Sequence, residues 1–409
     1  MALDPGRILD RCDALARCTE QADGLTRVFL SPEQRAASDL VGAWMREAGM
    51  DVRIDAIGNV VGRYEGETSG RPCLMLGSHL DTVRDAGRYD GMLGVITAIE
   101  CVGDLHARGR RLPFAVEVIG FADEEGVRFS ATLSGSRAIA GTFDRSVLER
   151  TDAAGSTMRD ALVAFGLDPG RIAAAARKPA DVLAYAELHI EQGPVLETLG
   201  LPVGVVTAIN GGNRFWVDVA GFAGHAGTVP IALRRDALAA AAECVLAVER
   251  VAAGIADVVA TVGRIEAHPG AVNVIPGKVR FSLDARAPSD DTRHAAVAAM
   301  RAEFDAIAAR RGVAISLAPV WDARTTPCSP QLRQQLADAI QAEGLAVHHL
   351  PSGAGHDGMA VSAIAPIGML FVRCAGGVSH NPAEAVTAAD VGVGARVLLR
   401  FIEHFAPSR

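Results

Sequence analysis

The 409-residue chain is 49% hydrophobic and 22% charged and carries a net charge of −8. That balance fits a globular protein of two or three domains with a sizeable core. It argues against nucleic acid and anionic membranes, which attract basic faces, and leaves a small molecule as the expected partner. The opening segment, Met1 to Arg7, lacks the basic and apolar regions of a secretory signal, and no later run is long enough to span a bilayer, so a cytoplasmic protein is expected. The seven cysteines (12, 18, 73, 101, 244, 328 and 374) include no C-x-x-C pair and are expected to be reduced and structural.

Short apolar runs alternate with helical patterns, the mark of an α/β protein built from βα units around a mostly buried mixed sheet. The run Leu74–Leu76 leads into His79 and Asp81, and Phe114–Ile119 leads into Asp123, Glu124 and Glu125. Ala184–Ile190 contains His189. From about residue 208 the pattern changes. A half-buried strand over Asn213–Ala220 alternates Phe215, Val217 and Val219 with more polar residues. A helix over Ala232–Val251, strands over Val258–Ile265 and Val279–Leu283, a helix over 291–310 and a strand over Val313–Ala318 follow. That βαββαβ order is the ferredoxin-like split unit. The expected organisation is therefore a discontinuous domain of residues 1–207 and 323–409, interrupted by an inserted α+β domain of residues 208–322. In the returning segment, Met369–Val372 leads through two glycines to His380.

Metal-capable side chains thus collect at strand ends. His79, Asp90, Glu125, His189 and His380 offer imidazoles and carboxylates, a set suited to zinc, manganese, cobalt or nickel. Five such ligands fit two divalent ions per chain if one carboxylate bridges them. Asp90, followed by Gly91 and preceded at three residues by Gly87, is best placed to do so, because glycine lets the backbone approach closely. Two ions about 3.5–4 Å apart can lower the pKa of a shared water and direct it at an electrophilic carbon. Adjacent carboxylates cannot both face one ion, so Glu125 ligates while Glu124 serves as general base. Asp81 is expected to fix the tautomer of His79. Each element taken alone is more often a solvated turn or a hydrogen-bonded histidine, and only their joint occurrence favours a metal site. Glu187 and Glu191 stand as alternative ligands and are read as strand-face carboxylates, whereas His356 is left between pocket wall and structure. The histidines at 106, 268, 294, 348, 349 and 404 lack a supporting pattern.

The strings GSHLDTV, AGRYDG, FADEEGVRF, ELHIEQGPVLE, GHAGTVP, NVIPG, SGAGHDG and GGVSHNPAE occur in an order that resembles the amidase branch of the dinuclear-metal M20 peptidase family. That branch contains allantoate amidohydrolases, N-carbamoyl-L-amino acid hydrolases and ureidoglycolate amidohydrolases. The resemblance implies the same five ligands, with manganese as the metal, and Glu124 as the base. It also implies that the inserted domain acts as a lid and forms a homodimer. His225 would reach the neighbouring subunit's site and stabilise an oxyanion, a donor commonly worth about 3 kcal/mol of barrier. Asn273 and Arg286 would grip a substrate carboxylate, the planar guanidinium offering two parallel donors. Gln192 and Gly353 would line the substrate pocket.

Strings such as MLFVRCAGGVSHNPAE are similar to the plant-type allantoate enzymes and point to allantoate, hydrolysed to ureidoglycine, ammonia and carbon dioxide. An N-carbamoyl-L-amino acid is the alternative; an aminoacylase, or a metal-loaded binding protein without turnover, fits less well. One departure stands out. Many family members carry Gly-Gln on entering the lid, where this chain has Gly211-Gly212-Asn213, so the amide donor to the ureido group is either absent or supplied by Asn213.

Overall fold

The structure is a computed structural model and describes residues 3–407. The chain divides into two compact units, one running up to Thr207 and resuming over Cys328–Leu350 and from Ala354 onward, the other comprising Ala208–Pro327 and Pro351–Gly353. The expected return at residue 323 falls inside a strand, Ala314–Ala323, and the second unit instead continues to Pro327.

The first unit is built on a nine-stranded sheet whose main strands are β1 (Asp51–Ile54), β2 (Val60–Tyr64), β3 (Cys73–His79), β4 (Ala115–Phe121), β5 (Val182–Ile190), β6 (Val203–Ile209) and β7 (Ile367–Val372), with the short strands Thr326–Pro327 and His349–Ser352 paired to β6. They lie in the order β1-β2-β4-β3-β5-β7-β6. The four central strands β4, β3, β5 and β7 are parallel, and β1, β2 and β6 pair antiparallel at the flanks. Strands buried on both faces read as continuous apolar runs, and β3, β4 and β7 are buried at every residue. The helices that cover the sheet include α1 (Pro5–Ala16), α2 (Pro32–Glu47), α3 (Met92–Ala107), α4 (Pro330–Ala342) and α5 (Ala388–His404). Asp4 caps α1, Ser31 caps α2 and Thr387 caps α5 through side-chain oxygens that accept otherwise unpaired N–H groups, and α1, α2 and α4 each begin with proline. α3 is apolar nearly all round and buried from Met92 to Val102.

Chain order and space order disagree around β3, with β4 on one side and β5 on the other. In parallel α/β sheets that switch opens a crevice at the carboxyl ends of the strands, and there His79, Asp123–Glu125 and His189 emerge.

The second unit has the expected split topology. Strand Gly211–Ala220 lies between Lys278–Ala287 and Ala314–Ala323, with Ile265–His268 beyond Lys278–Ala287, all antiparallel. Val217, Val219, Phe281 and Leu283 pack from the sheet against Cys244, Val248, Met300 and Phe304 of helices Ala237–Ala253 and Asp290–Arg311. Two details differ from the sequence reading. The expected strand Val258–Ile265 is two strands, Val259–Thr261 and Ile265–His268, which pair with successive parts of Lys278–Ala287. The helix expected from Ala232 begins at Ala237, because Asp236 Oδ1 accepts from the N–H groups of Leu238 and Ala239 and fixes the start there.

All seven cysteines are free. No helix among the described residues is long and apolar enough to cross a membrane.

Candidate metal centre

The site is assembled from strand ends. His79 closes β3 and His189 is the penultimate residue of β5, while Glu124 and Glu125 follow β4 within a short turn. His380 arrives on the loop after β7 with a left-handed φ of 53°. Asp90 precedes α3, whose first residue is Met92.

Both buried imidazoles are oriented by backbone carbonyls. His79 Nδ1 lies 2.9 Å from the Asp81 carbonyl and His189 Nδ1 lies 2.9 Å from the Ile190 carbonyl. Since a carbonyl can only accept, each Nδ1 carries the proton. In the neutral ring the Nε2 lone pair then points outwards, 3.8 Å from Asp90 Oδ1 for His79 and 3.2 Å for His189. His380 Nε2 lies 3.0 Å from Asp90 Oδ2. A lone pair facing a carboxylate oxygen requires a cation or a proton between them, and buried His189 Nε2 has no hydrogen-bond partner.

Ligand-capable atoms of His79, Asp90 and His189 lie within 4.8 Å of one another, as do those of Asp90, Glu125 and His380. The two sets share Asp90 and together contain all five expected ligands. A third set, His79, Glu124 and Glu125, places Glu124 beside them. The donors are two triads of imidazole and carboxylate, and the residues present fit divalent ions.

Electrostatics point the same way. Burial alone would raise Asp90, but the imidazoles of His189, His380 and His79 outweigh it and hold its carboxyl well below the usual range. Burial also opposes charge on His79, yet Asp90 and Glu124 push that imidazole well above its ordinary value. Burial pushes Glu125 up to about 7 and raises Glu124 well beyond the ordinary carboxylate range, with Asp81 adding to both. A buried anionic cluster that binds protons this readily is equally suited to bind cations.

Asp81 serves the centre through a different atom from the one expected. Its carbonyl, not its carboxylate, meets His79 Nδ1; the carboxylate is 3.8 Å away and instead accepts from the backbone N–H groups of Glu124 (2.9 Å) and Glu125 (3.1 Å). One residue therefore positions both β3 and β4 ends. Gln192, expected in the substrate pocket, donates to Asp90 Oδ1 at 3.1 Å and so buttresses the shared carboxylate. Glu191 accepts from the Val195 and Leu196 N–H groups and is absorbed by that helix start. Glu187 accepts from Ser78 Oγ and Tyr185 OH, and His356 packs edge-on against His189 with centroids 4.5 Å apart.

Two supports escaped the sequence reading. Glu384 accepts from the Tyr89 and Asp90 N–H groups and from Ser379 Oγ, fixing the backbone that carries Asp90; it closes the string GGVSHNPAE, and the spacing from His380 was the available signal. Fully buried Arg27 donates to the carbonyls of Leu80, Leu15 and Cys18, pinning the turn after His79 to the end of α1. No local motif marks it.

The remaining expected residues belong to the second unit. Val274 pairs with His225 in a two-stranded ribbon, and Ala226 donates to the Asn273 carbonyl, so His225 and Asn273 stand together, both exposed. His225 Nδ1 accepts from the Gly227 N–H, which puts the imidazole proton on Nε2. Arg286 donates Nε and Nη2 to the Asp284 carboxylate and Nη1 to the Gly353 carbonyl. Asn213 does not supply the missing amide: it is 7% exposed and its Oδ1 accepts from Arg293 on the helix-covered side of the sheet.

The parallel centre of this mixed sheet brings two sets of imidazole and carboxylate that share Asp90 to its switch point, an arrangement that fits a metal-dependent hydrolase, and the chain belongs to peptidase family M20/M25/M40, whose model matches residues 75–404. It is 43% identical to the N-carbamoyl-L-amino acid amidohydrolase of Geobacillus stearothermophilus, over 95% of each chain. It is 41% identical to the allantoate deiminase of Arabidopsis thaliana, over 96% of this chain and 81% of that one. Among solved structures, an amidase of the hydantoinase/carbamoylase family from Burkholderia multivorans superposes with a TM-score of 0.92 at 33% identity, covering 99% of both chains.

Proposed function

We propose that the protein is a dinuclear amidohydrolase that cleaves the terminal ureido C–N bond of a small carboxylic acid. The observation that carries this reading is the pair of triads sharing Asp90 with Glu124 beside them. His79, Asp90 and His189 would hold one divalent ion and Asp90, Glu125 and His380 the other, with manganese the metal suggested by the family and zinc, cobalt and nickel chemically acceptable. When bound, such ions polarise the ureido carbonyl and lower the pKa of water.

The chain's own groups do the rest. Glu124 takes a proton from the attacking water and returns it to the leaving nitrogen as the C–N bond breaks, releasing ammonia and a carbamate that loses carbon dioxide. Arg286 and Asn273 hold the substrate carboxylate: with Nε and Nη2 on Asp284 and one Nη1 proton on Gly353, the guanidinium keeps one N–H on each Nη atom for it. His225, donating from Nε2, stabilises the developing oxyanion of a partner subunit. The second unit acts as lid and dimer contact, which suits its strongly exposed Phe222, Ile231, Leu233 and Val272. The chain acts in the cytoplasm.

Two substrates fit this chemistry. The motif resemblance points to allantoate, which would yield ureidoglycine, while the lining of the second unit favours an N-carbamoyl amino acid. Ammonia release from both classes, measured after reconstitution with manganese, zinc or cobalt, separates them. Release of amino acid from N-acyl but not N-carbamoyl substrates would remove the ureido reading. Glu124→Gln is expected to lower kcat by about 10²–10⁴ while retaining the metal content of the parent; retained activity would overturn Glu124 as base.

A further inference from the structure

The sheet of the second unit has helices on one face, and its other face is a built surface. Strand alternation puts Gly212, Arg214 and Trp216 on that open face together with Ser282, Asp284 and Arg286 of the neighbouring strand. A trough of about 580 Å³ lies along it, within the range of small-molecule sites. The register sets Arg286 opposite Val259 and Gly212, and Ser282 opposite Trp216, so the lining runs four residues, about 13 Å, along the strand from the Arg286 backbone. Val259, Val320 and Trp216 supply the apolar walls, and the two valines, 54% and 56% exposed, are open to an occupant.

Among the lining residues charge is confined to the triplet at the Arg286 end, and at the other end the guanidinium groups of Arg264 and Arg280, paired with Glu266 and Asp218, stand 5.8 and 5.9 Å from the Trp216 ring centroid. Asp284 accepts from both Arg286 and Arg214, which leaves one positive charge in excess. No side-chain amide stands on this face at residues 211–213: Asn213 is turned to the helices, and a Cβ on Gly212 would lie 2.5 Å from the Trp321 ring, which covers that position. At the Gly212 position a second ureido group, as in allantoate, would thus meet the Trp321 indole where it needs hydrogen-bond partners, and the hydroxyls in the lining, Thr261 and Ser282, stand farther along the trough.

The geometry points to this trough as the side-chain subsite of the enzyme: Arg286 receives the carboxylate, and the trough receives a large apolar side chain. The substrates hydrolysed best are then N-carbamoyl amino acids with long aliphatic or aromatic side chains. This inference rests on the reading of Arg286 as the carboxylate-binding residue of a ureido hydrolase.

The test is kcat/KM for N-carbamoylglycine, N-carbamoylalanine, N-carbamoylleucine, N-carbamoylphenylalanine and allantoate with the metal-loaded full-length protein and with Ser282→Phe and Val259→Asp. N-carbamoylphenylalanine is expected to exceed N-carbamoylglycine by at least about thirtyfold, and each variant to lower that ratio at least about tenfold. If N-carbamoylglycine or allantoate is turned over as fast as the aromatic substrate, or both variants leave the ratio where it was, the subsite is wrong and ureido hydrolysis stands. If none of the ureido acids is hydrolysed, the ureido reading falls and the subsite with it.

Discussion

At the scale of single residues, the centre depends on where protons and backbone atoms are held. His79 and His189 present Nε2 because their Nδ1 protons are taken by carbonyl oxygens. The position before α3 admits only glycine without strain: Gly91 has a φ of 74°, and a Cβ there would stand 2.5 Å from the His79 ring. Gly91→Ala adds a left-handed backbone cost of about 1–2 kcal/mol to that collision. It is expected to weaken metal affinity by about 10–100-fold, the usual effect of disturbing the support of a ligand. Chelator competition with metal analysis measures this, and unchanged affinity would show that Gly91 does not set the position of His79. Residue type announced the five ligand candidates, since histidines and carboxylates at the ends of apolar runs are visible in a string of letters. Which atom of Asp81 meets His79 was not, because every residue carries a carbonyl. Asn213 was readable: the alternation that buries Phe215, Val217 and Val219 puts residue 213 on the same covered face.

At the scale of elements, four parallel strands deliver their ends to one place and crowd ionisable groups there. Without ions, burial pushes Glu125 up to about 7 and raises Glu124 well above the ordinary carboxylate range. The folded, metal-free protein therefore binds more protons between pH 4.5 and 7 than the unfolded chain does, and stability falls as pH rises through that window. His79, His189 and His380, all raised, extend the loss upward, whereas His356, lowered by burial, opposes it below its ordinary value. After chelation, the melting temperature is expected to drop from pH 5 to pH 7.5, and added manganese or zinc should restore it most at the higher pH. A metal-free melting temperature that rises steadily over this interval would contradict the linkage. Helix and strand existence followed from periodicity. The misplaced helix start at 232 and the undivided strand at 258–265 came from reading apolar content across Asp236 and Gly263, where a cap and a change of partner register decide the boundaries.

At the scale of the molecule, the pairing of subunits is proposed from a family resemblance and from the exposed apolar residues of the second unit. It has a direct test. If His225 serves the partner's site, a subunit carrying Glu124→Gln still offers a competent His225, and a subunit carrying His225→Ala still offers a competent Glu124. Each homodimer is expected to be strongly impaired, His225→Ala by about 100-fold in kcat, as for the loss of one oxyanion donor. After unfolding and refolding the two together, random pairing makes about half the dimers mixed, each with one intact site of two, so activity should recover to about a quarter of the parent value. Recovery requires that the two groups act from different chains. A mixture no more active than its parts, with mixed dimers verified by differential tags, would place His225 in its own subunit's reaction or outside the reaction altogether.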